Sequence, residues 1–259
     1  YGLETVPRDV REECSQALVN LALVTGNVGT ESSGLFPLLT GANDQGSLDI
    51  GCNPHLLPGH RYVNSEKSRA ALSTTWNTHV TAEPGIGTID ISSEINKGTI
   101  KAVQIIGNSP NFINGQLGNF IDALSNLDFL VVHETFSSEI TELADVIFPS
   151  QTFAERLGTY TNLERRIQRL RPAIGQKGDS EADWRIICHL AQRMGVSGFD
   201  YTDESSIFDE LSSTVPVYEG LSYAELDNKG SQWPYLAAHK IDTPYLYGRG
   251  FEERKAKLS

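Results

Sequence analysis

Residues 101–149 read KAVQIIGNSPNFINGQLGNFIDALSNLDFLVVHETFSSEITELADVIFP, and three short apolar runs stand out in them. The runs 102–106, 129–132 and 146–148 are rich in β-branched residues, which predicts three buried strands. Between the first two runs, apolar residues recur every three or four positions, as on one face of a helix: Leu117, Phe120, Ile121 and Leu124. Strands that alternate with helices in this way are parallel and are joined by crossovers.

The expected ligand site follows from this alternation. In open parallel sheets, ligands bind beyond the carboxyl ends of the strands. Two loops leave such ends, residues 107–114 and 133–138, and the first opens with the turn-forming residues GNSP. We expect any small ligand to bind at these two loops.

Composition excludes several classes of protein. Of the 259 residues, 39% are hydrophobic and 21% are charged, which is typical of a globular chain. The net charge of −12 argues against nucleic acid as a partner. The apolar run 17–24 is too short to span a bilayer, so no direct membrane insertion is expected.

The three cysteines predict neither a disulfide frame nor a metal centre. Cys14, Cys52 and Cys188 are far apart and lack CxxC spacing. They indicate reduced thiols in a cytoplasmic protein. An iron–sulfur cluster or a metal ion held by this chain alone is therefore not expected.

Elsewhere, apolar periodicity and capping residues predict helices over 11–24, 66–76 and 88–96, a short hairpin from residue 159, and a helix over 180–195. The glycine-rich segment 29–59 lacks a period. It is either a functional loop, because glycine lets backbone approach a ligand, or a surface Ω-loop. Past Pro216 the chain is irregular and aromatic, and no domain core is expected there.

The chain starts at Tyr1, and its single methionine is Met194. This predicts a piece of a longer protein or a processed product. The alternative is a complete small protein from which a tag was removed.

Several stretches, in a consistent order along the chain, carry a resemblance to a known family. They are LALVTGNVG at 21–29, GANDQGSLDIG at 41–51, IIGNSP at 105–110, LDFLVVHETFSSEITELADVIFP at 127–149 and FAERLGTYTNLERRIQ at 153–168. Together they resemble the molybdopterin oxidoreductase superfamily. Formate dehydrogenase catalytic subunits and the large iron–sulfur subunit of NADH–quinone oxidoreductase are the most similar branches.

The resemblance implies an α/β fold. A Rossmann-like parallel sheet with flanking helices (α/β/α) is joined by a small antiparallel or irregular C-terminal part. Residues 1–41 would be a helix and linker from a preceding domain, and 42–155 the cofactor-binding domain, completed by helix 180–195. Segments 156–179 and 196–259 would be shared with a neighbouring domain. The family's iron–sulfur cysteines and metal-ligating residue would lie upstream, and its final β-barrel downstream.

The resemblance also implies a cofactor, one pyranopterin guanine dinucleotide carrying molybdenum or tungsten. The matching cofactor-binding positions are Gly107, Asn108, Ser109, Glu134, Asn43, Gln45 and Gly46. No catalytic residue and no metal ligand is expected within the chain. From the residues alone, the glycine loop could be only a turn and Glu134 only a solvent-facing acid, while His133 is predicted to be a plain surface histidine.

The implied function is the cofactor-binding portion of a molybdopterin oxidoreductase or of an NADH dehydrogenase complex, inactive by itself. Its partners would be the remainder of the same polypeptide and other redox subunits, in the cytoplasm or held at the membrane surface by those subunits. One alternative is a structural subunit of a respiratory complex that has lost the cofactor. Another is a nucleotide-binding module unrelated to redox chemistry.

The chain departs from formate-oxidising members of the family at two positions. Those members carry an Arg and a nearby Gln just before the stretch that matches residues 43–46, where this chain has Leu39 and Gly41. A carboxylate substrate would lose a charge-assisted contact there. The sequence therefore predicts that formate is not the main substrate.

Overall fold

The structure is a computed structural model that describes residues 1–3, 6–39, 41–107, 117–248 and 250. The helices in these ranges are α1 (Arg11–Val24), α2 (Asp44–Asp49), α3 (Glu66–Trp76), α4 (Thr88–Asn96), α5 (Leu117–Leu124), α6 (Glu139–Leu143), α7 (Asp183–Arg193), α8 (Glu204–Thr214) and α9 (Tyr223–Leu226). The strands are β1 (Leu56–Leu57), β2 (Arg61–Tyr62), β3 (Ala102–Ile106), β4 (Phe129–Glu134), β5 (Val146–Pro149), β6 (Gly158–Thr161), β7 (Arg166–Leu170) and β8 (Ser231–Gln232).

The first sheet is parallel, as predicted, with strand order β3-β4-β5. Ile105 pairs with Val132, and Val132 pairs with Ile147. The inner face of the sheet packs against α4, α5 and α6 around a core of Ile95, Phe120, Ala123, Leu124, Leu130, Val132 and Ile140. Phe120 and Leu124 of the predicted helical face are buried and Ile121 packs beside them, while the Leu117 side chain lies outside the described set.

The predicted helices over 11–24, 66–76 and 88–96 are confirmed to the residue. Two helix starts have capping side chains: the Ser65 hydroxyl accepts from Ser68 N in α3, and the Asp203 carboxylate accepts from Ser206 N in α8. Such bonds satisfy amides that the first turn of a helix leaves without partners. The predicted hairpin is the antiparallel pair β6-β7.

The prediction that no core lies past Pro216 is wrong. A second buried cluster forms on β7 from Ile167, Phe208, Val215, Tyr218, Leu221, Leu226, Trp233 and Tyr235. Four of these side chains, Val215, Leu221, Trp233 and Tyr235, come from turns and loops, so no helical or strand period marks them in the sequence. Together with the antiparallel sheet β6-β7-β8, they give the chain a second packed half.

The glycine-rich segment 29–59 contains one short helix, α2, which sequence periodicity did not reveal. Helix α2 lies against β6, because the Asn43 carboxamide oxygen accepts from Thr161 N at 2.8 Å. The segment is thereby attached to the second sheet.

None of the helices within the described ranges combines the length and the apolar character that crossing a bilayer requires.

Candidate functional site

The carboxyl edge of the parallel sheet presents an open glycine. Gly107 follows β3 directly, and its N–H donates to the His133 carbonyl oxygen at 3.0 Å. Its φ of +66° is a conformation that glycine adopts without strain. A Cβ placed on Gly107 would meet no atom of the described residues within 4 Å, so a ligand could approach the backbone from their side.

Glu134 ends β4 beside this glycine. In the register of the two strands Ile106 pairs with His133, which makes Gly107 and Glu134 the next neighbours. The half-buried Glu134 side chain accepts from Thr135 N through Oε1 at 3.0 Å. Of the predicted partners in the same loops, Asn108 and Ser109 lie outside the described residues.

His133 is buried, so its prediction as a surface histidine is wrong. Its Nδ1 lies 3.2 Å from Asp183 Oδ1, and its Nε2 lies 2.7 Å from Gln104 Nε2. A neutral ring that donates from Nδ1 and accepts at Nε2 satisfies both contacts. Asp183, the first residue of α7, also accepts from Ser150 and from Arg156. Since α7 covers this part of the sheet, the strand-end histidine is withdrawn from water.

A cavity of about 610 Å³ forms a second candidate region. It is lined by residues between 28 and 37, by the turn between β6 and β7, and by residues in and after β8. Its wall includes Gln45, Arg165, Trp233 and Tyr245. The volume and the mix of aromatic and polar groups are typical of small-molecule sites. Of the sequence-predicted residues, the cavity wall contains Gln45.

Asn43 attaches α2, which carries Gln45, to β6, and Gly46 leaves room for that contact. The Asn43 carboxamide oxygen bonds to Thr161 N, and a Cβ on Gly46 would lie 2.3 Å from that same oxygen. Glycine at position 46 is therefore required for the Asn43 contact with β6.

Asp49, which sequence reasoning missed, is the most connected acid of the region. Its carboxylate is fully buried and accepts four hydrogen bonds. The donors and distances are Gln45 Nε2 at 2.8 Å, His60 Nε2 at 2.7 Å, Tyr218 Oη at 2.6 Å and Trp233 Nε1 at 2.8 Å. A lone aspartate in a glycine-rich run gives no pattern that would have pointed to it.

The pKa values of two ionisable groups near Asp49, Tyr218 and Arg165, differ from their ordinary values. Burial raises the pKa of Tyr218 well above its ordinary value, and the negative charge of Asp49 adds to the shift. Burial lowers the pKa of Arg165, against the opposing field of Asp49 and Glu164. The guanidinium of Arg165 donates to the carbonyl oxygens of Trp233 and Thr243, which fixes it in the cavity wall.

The shift of Tyr218 predicts a steeper loss of stability in alkali. Its pKa in the folded chain lies above the unfolded value of about 10, so its contribution is complete below pH ~10 and is lost as pH rises further. We expect Tyr218→Phe to be less stable at pH 7 by about 1.5 kcal/mol, because a bond to a charged acceptor is lost. Above pH 10 its stability should fall less steeply than that of the parent, as measured by urea unfolding at a series of pH values. Equal slopes would contradict the assignment.

Among the described residues, no group of three or more His, Cys, Asp or Glu side chains is arranged to hold a metal ion. The two candidate regions instead offer backbone, amide and carboxylate groups suited to an organic ligand.

The sequence of this chain is similar to those of known proteins along most of its length. The model of the family described as molybdopterin oxidoreductase matches residues 2–193. A putative formate dehydrogenase of Bacillus subtilis, YrhE, is 33% identical over 262 residues, which cover 100% of this chain and 26% of that protein. The alpha subunit of F420-dependent formate dehydrogenase 2 of Methanococcus maripaludis is 36% identical over 234 residues, 90% of this chain and 34% of its own.

Among solved structures, acetylene hydratase from Pelobacter acetylenicus superposes on 72% of this chain and 27% of its own with a TM-score of 0.47 and 16% identity. The chain spans about a quarter to a third of the length of the two curated relatives. Its match to the family model extends over most of its own residues. The chain belongs to the molybdopterin oxidoreductase family.

Proposed function

We propose that this chain is the part of a molybdopterin oxidoreductase that holds one pyranopterin guanine dinucleotide, carrying molybdenum or tungsten. The observation that carries the proposal is the open backbone of Gly107 beside the carboxylate of Glu134 at the carboxyl edge of parallel strands. On this proposal the sheet is a Rossmann-like nucleotide-binding sheet, and residues 42–155 with helix 180–195 form the cofactor-binding domain.

The groups at this edge fit the chemistry of a guanine nucleotide. Phosphates bind where backbone N–H groups can be approached closely, and glycine allows that approach. The Gly107 N–H itself is donated to the His133 carbonyl oxygen, so on this proposal the phosphate donors are the amides that follow it in the chain. Guanine and ribose present N–H and O–H donors, which a carboxylate accepts. Glu134 uses Oε1 for Thr135 N, and Oε2 has no hydrogen-bond partner among the described residues. We propose that Oε2 accepts from the base or the ribose, and that Asn108 and Ser109 complete the phosphate loop.

We further propose that the cavity beside Gln45 receives the pterin end of a cofactor. Its size and its polar wall support this assignment. Asn43 and Gly46 would then act mainly by positioning Gln45, since the Asn43 carboxamide bonds to Thr161 N of β6 and Gly46 leaves room for that carboxamide.

The family's cofactor, when bound, supplies a metal centre for two-electron redox chemistry. The residues of this chain would bind and orient the cofactor and exclude water from it. The proposed partners are the remainder of the same polypeptide and further redox subunits. One relative is itself an alpha subunit of a formate dehydrogenase, which supports a multi-subunit assembly and makes formate oxidation the reaction to test first.

The proposal predicts that Glu134→Gln weakens binding of GDP, the nucleotide portion of the cofactor, about tenfold. A charge-assisted hydrogen bond would become a neutral one, and such bonds differ by about 1–2 kcal/mol. Isothermal titration calorimetry on the purified 259-residue chain measures the effect. Glu142→Gln, an exposed acid on α6, is the matched control and should bind GDP like the parent.

The glycine is tested by Gly107→Val, which should reduce GDP affinity at least tenfold because a branched side chain blocks approach to the backbone. Gly98→Val is the control, since Gly98 has φ +72° and equally open surroundings but precedes β3 at the opposite edge of the sheet. Both variants place a branched side chain at a similar positive φ and therefore carry similar backbone strain. A difference in GDP affinity between them would show that GDP binds at Gly107. Equal GDP affinity in the two variants would show that GDP does not bind at this loop.

A further inference from the structure

The cavity beside Gln45 has a wall in which aromatic rings and carboxylates occur together. Its aromatic lining residues are Phe36, Trp233, Tyr245 and Tyr247, and its acidic lining residues are Glu31 and Glu164. Both acids are exposed, whereas Trp233 is buried, so the negative charges lie nearer to solvent than the indole. The wall therefore combines flat apolar surface with negative charge.

Arg165 is the one cation among the described residues that line this cavity. Its two terminal nitrogens donate to the carbonyl oxygens of Trp233, Thr243 and Pro244, the last at 3.3 Å. The guanidinium also lies over the Trp233 ring, 5.3 Å from the ring centroid. An anion that drew Arg165 away would leave these carbonyl oxygens without their donor. The positive charge of the wall is thus already used by the backbone of the chain itself.

Gln45 contributes a hydrogen-bond acceptor to the wall. Its Nε2 donates to Asp49 Oδ1 at 2.8 Å, and because a carboxylate only accepts, this contact fixes which end of the carboxamide faces Asp49. Gln45 Oε1 and the carboxylates of Glu31 and Glu164 have no hydrogen-bond partner within the described part of the chain. Hydroxyl groups in the wall can donate or accept, so these three acceptors decide the charge of a ligand.

From this wall we propose that the cavity binds a flat aromatic or heteroaromatic molecule that carries N–H donors and is uncharged or cationic, and that it excludes anions. The inference rests on the proposed function only in taking the cavity as a ligand site. Aromatic side chains pack on flat rings, and N–H donors satisfy carboxylate and carboxamide oxygens. An anion would meet two like charges and a guanidinium that is already engaged.

The charge preference can be measured with three probes of nearly the same shape. Benzamidine, benzamide and benzoate share one ring and a planar substituent, and at pH 7 they are cationic, uncharged and anionic. NMR titration of the purified 259-residue chain should give dissociation constants that rise in this order, by about fivefold at each step. This is the scale of one interaction between exposed charges.

Glu31→Gln and Glu164→Gln test whether the preference arises in the cavity. Each keeps the size of the side chain and an acceptor but removes one charge. Each should therefore weaken benzamidine binding about threefold, strengthen benzoate binding by a similar factor and leave benzamide binding unchanged. Glu142→Gln is the matched control, because it removes the same charge from an exposed acid of α6 outside the cavity wall. It should leave all three dissociation constants unchanged.

Two further measurements separate the charges from the rings. Added salt should reduce the difference between benzamidine and benzoate, because exposed charges are screened, and should leave benzamide binding unchanged. Phe36→Leu should weaken the binding of all three probes about threefold, because it removes a ring and keeps apolar area.

Three results would overturn the inference. The first is benzoate binding as tight as benzamidine binding, or no binding of any probe. The second is a benzamidine preference that Glu31→Gln and Glu164→Gln leave unchanged, because the net charge of −12 and not the cavity would then cause it. The third is a Phe36→Leu variant that binds all probes like the parent.

The proposed function is judged separately, by GDP binding to the same chain. GDP binding without the charge preference would leave the nucleotide function standing and overturn the inference on the cavity. The charge preference without GDP binding would overturn the nucleotide function alone.

Discussion

Replacing Asp49 with alanine is expected to lower the free energy of unfolding by about 3–6 kcal/mol. Two of its donors, the Tyr218 hydroxyl and the Trp233 indole N–H, belong to side chains that are 2% and 9% exposed. Without Asp49 the indole N–H would have no acceptor, and the hydroxyl would keep only its long contact of 3.4 Å with Thr161 Oγ1. A hydrogen bond to a charged group contributes about 1.5–3 kcal/mol, and leaving its buried partner unsatisfied loses that amount at least. The two buried donors together account for the expected range.

Urea unfolding at pH 7 measures this loss. Asp227→Ala is the control, because Asp227 is half-exposed and paired with Arg169 and Arg171 at the surface. Exposed ion pairs contribute at most about 1 kcal/mol. An Asp49→Ala variant as stable as the Asp227→Ala variant would show that the buried carboxylate is not a structural centre.

The same substitution should alter the cavity. Gln45 and Trp233 both line the cavity and both donate to Asp49, so the carboxylate holds one side chain of α2 and one that directly follows β8 in the wall. Residues of the glycine-rich segment thus acquire a fixed position through a single acid. This explains how a stretch without periodicity is nevertheless ordered beside a candidate ligand site.

The parallel sheet and most helices could be predicted because their signals are local. Apolar runs separated by turn residues indicated β3, β4 and β5, and periodicity located α1, α3 and α4 to the residue. The second core could not be predicted, since Trp233 and Tyr235 come from turns and acquire neighbours only in three dimensions. Local patterns carry no information about which loops will meet.

The same difference between local signals and contacts of distant segments applies to the candidate site. Parallel strands with known ends are enough to bring Gly107 and Glu134 to one edge, and in the structure they directly follow the last paired residues, Ile106 and His133. His133 is buried and bonds to Asp183, fifty residues later, and no local pattern indicates such a contact. The cofactor-binding roles of the seven predicted residues remain predictions.

Formate is expected to be a poor substrate for an enzyme that contains this chain. Leu39, which the sequence resemblance aligns with the arginine of formate-oxidising members, is half-buried and apolar. At the glutamine position stands Gly41, whose N–H donates to the Asp44 carboxylate at 2.7 Å. A Cβ on Gly41 would overlap the Asp44 carboxylate, so a side chain there would displace that carboxylate and break its hydrogen bond with Gly41 N.

Other cations of the region do not replace the missing arginine. Arg61 donates to the carbonyl oxygens of Pro58 at 2.7 Å and of Thr214 at 3.0 Å. Arg165 is bound by carbonyl oxygens in the cavity wall. Each guanidinium already holds backbone in place, and withdrawing it toward a substrate would leave those carbonyls without donors.

The size of the effect follows from the contact that is lost. A charge-assisted hydrogen bond contributes about 1.5–3 kcal/mol, which corresponds to about one to two decades in kcat/KM. The assay uses the active enzyme that contains this chain, with formate and an artificial electron acceptor. Leu39→Arg should raise kcat/KM for formate by about tenfold or more, whereas Leu38→Arg, which adds the same charge at an exposed neighbour, should not. Rapid formate oxidation by the unmodified enzyme would mean that another group binds the carboxylate and that Leu39 does not occupy the family's arginine position.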